Sequence, residues 1–230
     1  MRTVVVLSGG PGPVPGAVPE DLRSDVRAPE LVVAADGGLH LADVLGLPVD
    51  VVVGDMDSVG PARLAAAEVA GATVLRHPAD KDATDLELAL GLAVAASPDR
   101  VVVVGSAAGR LDHLLGSVAL LASARWAPAQ VDAWLGASRV HVVRGRRTFV
   151  GDPGETVSLL ALGGAAGGVT TVGLRWGLED AALEPDGTLG VSNELVAHTA
   201  TVEVREGCVV VVRPGHPRGT DDDTDREVRT

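Results

Sequence analysis

Two rhythms of apolar and polar residues divide the chain. Through the first half, short β-branched runs bounded by turn residues alternate with segments whose apolar positions recur every three or four residues. The runs are Val4 to Leu7, Leu31 to Ala35, Val49 to Gly54, Thr73 to Leu75 and Val101 to Gly105, and they predict strands. Between them, Gly38 to Leu45, Pro61 to Ala70, Thr84 to Ala96 and Leu111 to Ala124 predict helices. Leu86, Leu90 and Ala93 form one such apolar stripe. Nearly unbroken valine in the strands predicts burial on both faces. This is the pattern of a mostly parallel, Rossmann-like α/β sheet covered by helices. Ligands of such sheets sit beyond the carboxyl ends of the strands.

The helical spacing fades from about Arg139. Arg139 to Arg144, Glu155 to Leu162, Gly168 to Leu174, Thr199 to Arg205 and Cys208 to Arg213 predict strands between Gly, Pro and Asp turns. Glu206-Gly207 reads as a hairpin turn. The expected organisation is an α/β domain over 1–130 and an all-β sandwich, jelly-roll-like, over 137–216. The boundary is expected between Ala127 and Gly136. Residues 217–230 are charged and nearly devoid of apolar side chains, and are expected to be a disordered tail.

Composition narrows the partners. The net charge of −12 argues against a nucleic-acid partner, whose phosphates need clustered Lys and Arg. Three Trp, one Phe and no Tyr argue against a base-stacking platform. No run approaches the ~20 apolar residues of a membrane-spanning helix, and the first apolar run is too short for a signal peptide. One cysteine, Cys208, excludes an internal disulfide framework and suits a reducing cytoplasm. No nucleic-acid or membrane partner and a cytoplasmic location are therefore expected.

Candidate chemistry lies where the predicted strands end. Gly54-Asp55-Met56-Asp57-Ser58 follows an apolar run. An extended strand would set Asp55 and Asp57 on one side, with Cα atoms about 6.6 Å apart. Carboxylates that close repel, and a divalent cation would relieve them. Ala35-Asp36-Gly37-Gly38 ends the preceding strand, Lys81-Asp82-Ala83-Thr84-Asp85 opens a helix, and Gly109-Arg110-Leu111-Asp112-His113 opens another. Each has a plain structural reading: Asp36 as a turn residue, Asp82 as a helix cap with Asp85 as its partner, Asp112 against a helix dipole. Capping does not account for the Asp55–Asp57 pair. Together the clusters point to magnesium-assisted chemistry on a polyphosphate. Asp55, Asp57 and Asp82 supply hard oxygen ligands, and Arg110 can fork onto phosphate oxygens. Lys81 supplies a point charge, and His113 could donate to phosphate or be structural. The Gly9 to Gly16 stretch has the wrong glycine spacing for a dinucleotide fingerprint, and GxxxxGK[ST] is absent. In the second half, Ser192 and Asn193 could meet a heterocycle, with Trp176 against an aromatic cation; the plain alternative is a turn and a core Trp.

The four acidic motifs together with Gly190-Val191-Ser192-Asn193 resemble the thiamine pyrophosphokinase family, from Val4 to about Pro214. The resemblance implies an α/β catalytic domain followed by a β-sandwich, working as a homodimer with the substrate site at the subunit interface. It implies transfer of the diphosphate of ATP to the hydroxyl of thiamine, releasing AMP. By match, Asp55, Asp57 and Asp82 would hold Mg2+ and, with Arg110, form the catalytic set. Asp36, Gly37, Lys81, Thr84, Asp85, Gly109, Arg110, Asp112 and His113 would line the ATP site. Ser192 and Asn193 would bind the thiamine pyrimidine, and Trp176 would stack. Three departures stand out: Leu195 where the family often has an aromatic residue, Ala108 in place of a glycine before Arg110, and a long proline-rich segment over 9–29. The alternatives are a pyrophosphokinase acting on another heterocyclic alcohol, such as a hydroxymethyl pterin, and a non-catalytic nucleotide or thiamine sensor.

Overall fold

The computed structural model describes residues 1–10 and 18–215. The amino-terminal half comprises β1 (Thr3–Leu7), α1 (Glu20–Asp25), β2 (Leu31–Ala35), α2 (Leu39–Leu45), β3 (Val51–Gly54), α3 (Pro61–Val69), β4 (Thr73–Arg76), α4 (Asp85–Ala95), β5 (Arg100–Gly105), α5 (Leu111–Leu121) and β6 (Gln130–Leu135). Its strands are all parallel, in the order β6-β5-β1-β2-β3-β4. The two faces take alternate residues, as strand geometry requires. Val4, Val6, Val33, Val53, Val101 and Val103 pack under α4, against Leu86, Ala89, Leu90 and Ala93. Val5, Leu7, Val32, Val52, Val102 and Val104 pack against Leu22 of α1, Leu39 and Leu41 of α2, and Leu64 of α3. Double-sided burial is why these strands read as valine runs rather than as alternating patterns.

The carboxyl-terminal half is β-rich: β7 (Ser138–Val150), β8 (Thr156–Ala161), β9 (Ala166–Val172), β10 (Ala181–Leu183), β11 (Asn193–Glu194) and β12 (Thr199–Arg213). The long β12 runs antiparallel to β7. It pairs with β9 through its first part and with β8 through its second. Val143, Phe149, Leu159, Leu183, Leu195, Val202, Val209 and Val211 fill the core of this half.

The segment expected to hold the domain boundary is strand β6, hydrogen-bonded in parallel to β5 and antiparallel to β7, so the two halves share one sheet. Two expectations are corrected. Glu206-Gly207 is not a hairpin turn. The flanking runs form the single strand β12, whose register against β7 shifts between Val204 and Val209. Gly207 supplies the irregularity, with φ +78, and a Cβ there would lie 2.5 Å from the Ala165 carbonyl. Within the proline-rich segment, Glu20–Asp25 forms helix α1, which buries Leu22 against the sheet. Finally, the structure places Asp55 and Asp57 on a turn rather than an extended strand, as described below. Residues 11–17 and the tail from residue 216 lie outside the described residues.

Candidate active site

The carboxyl ends of β2 and β3 build the acidic cluster. Asp36 follows Ala35 directly and opens a short 3-10 turn, Asp36–Gly38. The turn passes so close to β1 that a Cβ on Gly38 would lie 2.0 Å from the Leu7 carbonyl oxygen. Only glycine fits there. Strand β3 stops at Gly54, with φ +149, and Met56 turns into the left-handed region with φ +65. The Met56 side chain is buried on the α2–α3 side of the sheet. Asp55 and Asp57 thus converge through a turn and not through strand alternation. The Asp57 N–H donates to Asp55 Oδ1 at 3.2 Å, and Ser58 Oγ donates to Asp57 Oδ1 at 2.8 Å.

One carboxylate oxygen from each of Asp36, Asp55 and Asp57 lies within 4.8 Å of the others. Lys81 Nζ approaches Asp55 Oδ2 at 3.5 Å and Asp85 Oδ1 at 3.1 Å. Asp36 and Asp85 both reach toward Gly54, where an added Cβ would lie 3.0 Å from Asp36 Cβ and 3.1 Å from Asp85 Cγ. Burial pushes the Asp36 carboxyl above its ordinary pKa. The Asp57 N–H, aided by Lys81, holds Asp55 below its own. Burial opposes the charge on Lys81, but Asp85 and Asp55 outweigh it and raise its pKa.

Asp36 Oδ1 is buried without a hydrogen-bond partner. A buried charged oxygen is costly when unpaired, and three convergent carboxylates repel. A hard divalent cation with oxygen preference, such as magnesium, fits that donor set. Asp82 is exposed and stands outside the group of three. It is not the helix cap either: Thr84 Oγ1 caps α4 by accepting from the Glu87 N–H at 3.2 Å.

Arg110 precedes α5, after Gly109 with φ +97. Its guanidinium forks onto Asp112, with Nε to Oδ1 at 3.2 Å and Nη2 to Oδ2 at 2.6 Å. Both side chains are exposed, and Arg110 holds the Asp112 pKa down to about 2. His113 is exposed on the first turn of α5. Gly37 is half-buried, and a Cβ there would touch Ser58.

The second candidate cluster lies in the β-rich half. Ser192 has a left-handed φ of +57 and donates its N–H to Ser158 Oγ of β8 at 3.1 Å. Asn193 is only 2% exposed, whereas Trp176 is 57% exposed. Trp176 is therefore not a core residue. Leu195 is buried in the core and bridges Leu174. Among the described residues, no hydrogen bond or ion pair joins this cluster to the acidic one.

One charged cluster escaped the sequence reading. Asp132 of β6 is almost fully buried and accepts from Arg100 Nε at 2.6 Å, Arg147 Nη2 at 2.7 Å and Gln130 Nε2 at 3.3 Å. His141 Nδ1 pairs with its other oxygen at 2.8 Å. Asp25 of α1 joins through Arg100 and through the Trp134 indole N–H. Although burial opposes it, His141 and Arg147 hold the Asp132 carboxyl far below the ordinary range. The only hint in sequence is a charged residue inside an apolar run.

A parallel α/β sheet that gathers aspartates and a lysine at its carboxyl edge, continued by a β-rich domain, defines a two-domain kinase-type transferase. Residues 23–132 match the family model described as "Thiamin pyrophosphokinase, catalytic domain". Residues 140–209 match "Thiamin pyrophosphokinase, vitamin B1 binding domain". The chain belongs to the thiamine pyrophosphokinase family. It is 27% identical over 218 residues to the thiamine pyrophosphokinase of Bacillus subtilis, covering 93% of this chain and 99% of that protein. The crystal structure of thiamine pyrophosphokinase from Bacillus subtilis aligns with a TM-score of 0.78 at 25% identity, covering 93% and 99% of the two chains. That from Geobacillus thermodenitrificans aligns with a TM-score of 0.74 at 27% identity, covering 95% and 99%.

Proposed function

We propose that the chain transfers the β,γ-diphosphate of ATP, intact, to the hydroxyethyl oxygen of thiamine, giving thiamine diphosphate and AMP. In this reaction the alcohol oxygen bonds to the β-phosphorus, the bond from that phosphorus to the α,β-bridging oxygen breaks, and the alcohol proton is released. The observation that carries the reading is the convergence of Asp36, Asp55 and Asp57 at the sheet edge, in a chain whose second domain matches a vitamin B1 binding model.

Asp55 and Asp57 would hold Mg2+, with Asp36 adding the oxygen that lacks a partner and Asp82 completing the set from its exposed loop. Magnesium when bound offsets phosphate charge and orients the polyphosphate. Lys81, seated between Asp55 and Asp85, would lend a positive charge to the phosphates. Arg110 would exchange Asp112 for phosphate oxygens. Gly37, Thr84, Asp85, Gly109, Asp112 and His113 would line the rest of the ATP site. Ser192, Asn193 and Trp176 form the thiamine side.

The homodimer belongs to this reading. Leu111 and Leu115 on α5, next along the chain to Arg110 and Asp112, and Val172, Trp176, Leu189, Val191 and Val196 in the β-rich half are exposed apolar residues. Two copies that covered these surfaces would bring the thiamine side of one to the ATP side of the other. Among the described residues no helix is long and apolar enough to cross a membrane, and the cytoplasm is the proposed compartment.

The test is product analysis with ATP, Mg2+ and thiamine. Thiamine diphosphate and AMP in equal amounts are expected. ADP with thiamine monophosphate would reject the proposal. A hydroxymethyl pterin offered in competition should not turn over, because the second domain matches a vitamin B1 binding model.

A further inference from the structure

Asn193 has almost no capacity left for a ligand. A carboxamide offers two acceptor lone pairs and two N–H donors. Oδ1 accepts from the Trp176 N–H at 3.1 Å and from the Glu194 N–H at 2.8 Å. Nδ2 donates to the Trp176 carbonyl at 2.8 Å. Three of the four positions are thus used inside the chain, and the residue is 2% exposed. The amide behaves as an extra peptide group, closing both backbone valences of Trp176 as a strand neighbour would.

The neighbouring contacts reinforce that pairing. The Arg175 N–H donates to the Glu194 carbonyl at 2.9 Å, and Arg175 Nη1 meets Glu194 Oε2 at 3.0 Å. The Arg175 guanidinium lies over one face of the Trp176 indole, 5.5 Å from the ring centroid, and the side chain stays largely exposed. The backbone beneath an exposed indole is therefore fixed from two sides. Ordering a large side chain before binding removes an entropic cost from the binding step.

We propose that Asn193 is a positioning residue that fixes the Trp176 backbone and so presents the indole to the aromatic ring of the substrate, rather than a group that touches the substrate itself. The proposal rests on reading Ser192 and Trp176 as the thiamine side. It moves direct polar recognition to the exposed Ser192 and leaves Asn193 to act through Trp176.

The test uses the full chain labelled with 5-fluorotryptophan, the Trp176 resonance being assigned from Trp176→Phe. Without any substrate, Asn193→Ala should shift or sharpen the Trp176 fluorine signal and leave those of Trp126 and Trp134 in place. Its KM for thiamine should rise about tenfold, the loss of one or two hydrogen bonds' worth of ordering, while the KM for ATP holds. In a Trp176→Ala background the same substitution should change thiamine KM less than about twofold, since coupled residues do not add. An unmoved Trp176 signal, or a full effect of Asn193→Ala in the Trp176→Ala background, overturns the proposal. If Asn193→Ala fails to fold, Asn193→Asp carries the test: it keeps both acceptor contacts, loses the donor to the Trp176 carbonyl, and should still move the Trp176 signal alone. If instead Trp176→Ala leaves thiamine turnover intact, the substrate-side reading fails, while the fluorine result still decides what Asn193 does.

Discussion

Among the glycines of the acidic site, Gly54 is the one whose replacement is most informative. Its φ of +149 is poorly suited to a side chain, and a residue forced into such a region costs about 1–3 kcal/mol. The methyl of Gly54→Ala would also lie 3.0 Å from Asp36 Cβ and 3.1 Å from Asp85 Cγ. Carbon contacts rest near about 3.5–4.0 Å, so the two carboxylates must retreat by roughly 0.5–1 Å. Overpacking of that kind costs about 1–3 kcal/mol more. A total of roughly 2–6 kcal/mol, at about 2–4 °C per kcal/mol for a chain of this size, lowers Tm by about 4–24 °C. A reacting group misplaced by ~1 Å loses about a hundredfold in rate. The assay is AMP release at saturating thiamine, with melting followed by circular dichroism. Gly46→Ala is the control: its φ is +67, but a Cβ there meets nothing within 4 Å. It should lose only the roughly 1–2 kcal/mol of left-handed backbone cost and keep full activity. If Gly54→Ala turned over ATP within threefold of the parent, the packed arrangement of Asp36 and Asp85 could not matter to the reaction.

Other outcomes follow from the same geometry. Lys81→Met should lower kcat/KM for ATP about 10–100-fold with little change in Tm; an unchanged kcat/KM would remove Lys81 from the site. Stripping divalent metal with a chelator should abolish turnover, and magnesium should restore it; activity persisting in chelator would refute the metal reading. Asp132→Ala leaves Arg100 and Arg147 without their buried partner and should cost about 3–5 kcal/mol, with thiamine and ATP KM values unaltered in the folded fraction. A loss under about 1 kcal/mol would contradict it. The pH dependence has a definite sign. The Asp132 carboxyl titrates lower in the folded chain than its ordinary 3.8, so its stabilisation is present above about pH 4 and is lost as pH falls through the folded value. Urea midpoints measured against pH should therefore drop on the acid side, and Asp132→Asn should flatten that limb.

What could be read from residues alone follows from physical range. Valine runs specify doubly buried strands because local branching and burial on both faces agree, and β1, β2, β3 and β5 lie where those runs predict. Short acidic motifs bounded by glycine also reveal themselves, since their turn chemistry is local. Strand β6 was missed because Gln130-Val131-Asp132 breaks the apolar run. The reason for the break, a four-way pairing of Asp132 with Gln130, Arg100, His141 and Arg147, exists only after β5 and β7 come alongside. The Glu206-Gly207 dipeptide carries a turn signal that a bulge uses equally well. Asn193 looks like a ligand in sequence because an Asn on a loop has free valences; that two of them are taken by Trp176, seventeen residues earlier, is a tertiary fact.

The strand shared between the halves has a consequence for how this chain can be divided. Cutting after residue 129 would remove β6 and expose the outer edge of β5, whose Val101 to Val104 are buried. Bare β-branched edges invite pairing with other chains. The catalytic half expressed alone should therefore precipitate or recruit a substitute strand. Cutting instead after β6 would strip β7 from its partner and leave Arg139, His141 and Arg147 without Asp25 and Asp132. Neither cut yields two soluble modules, so gene fusions that exchange the β-rich half between relatives should carry β6 and α1 along with it.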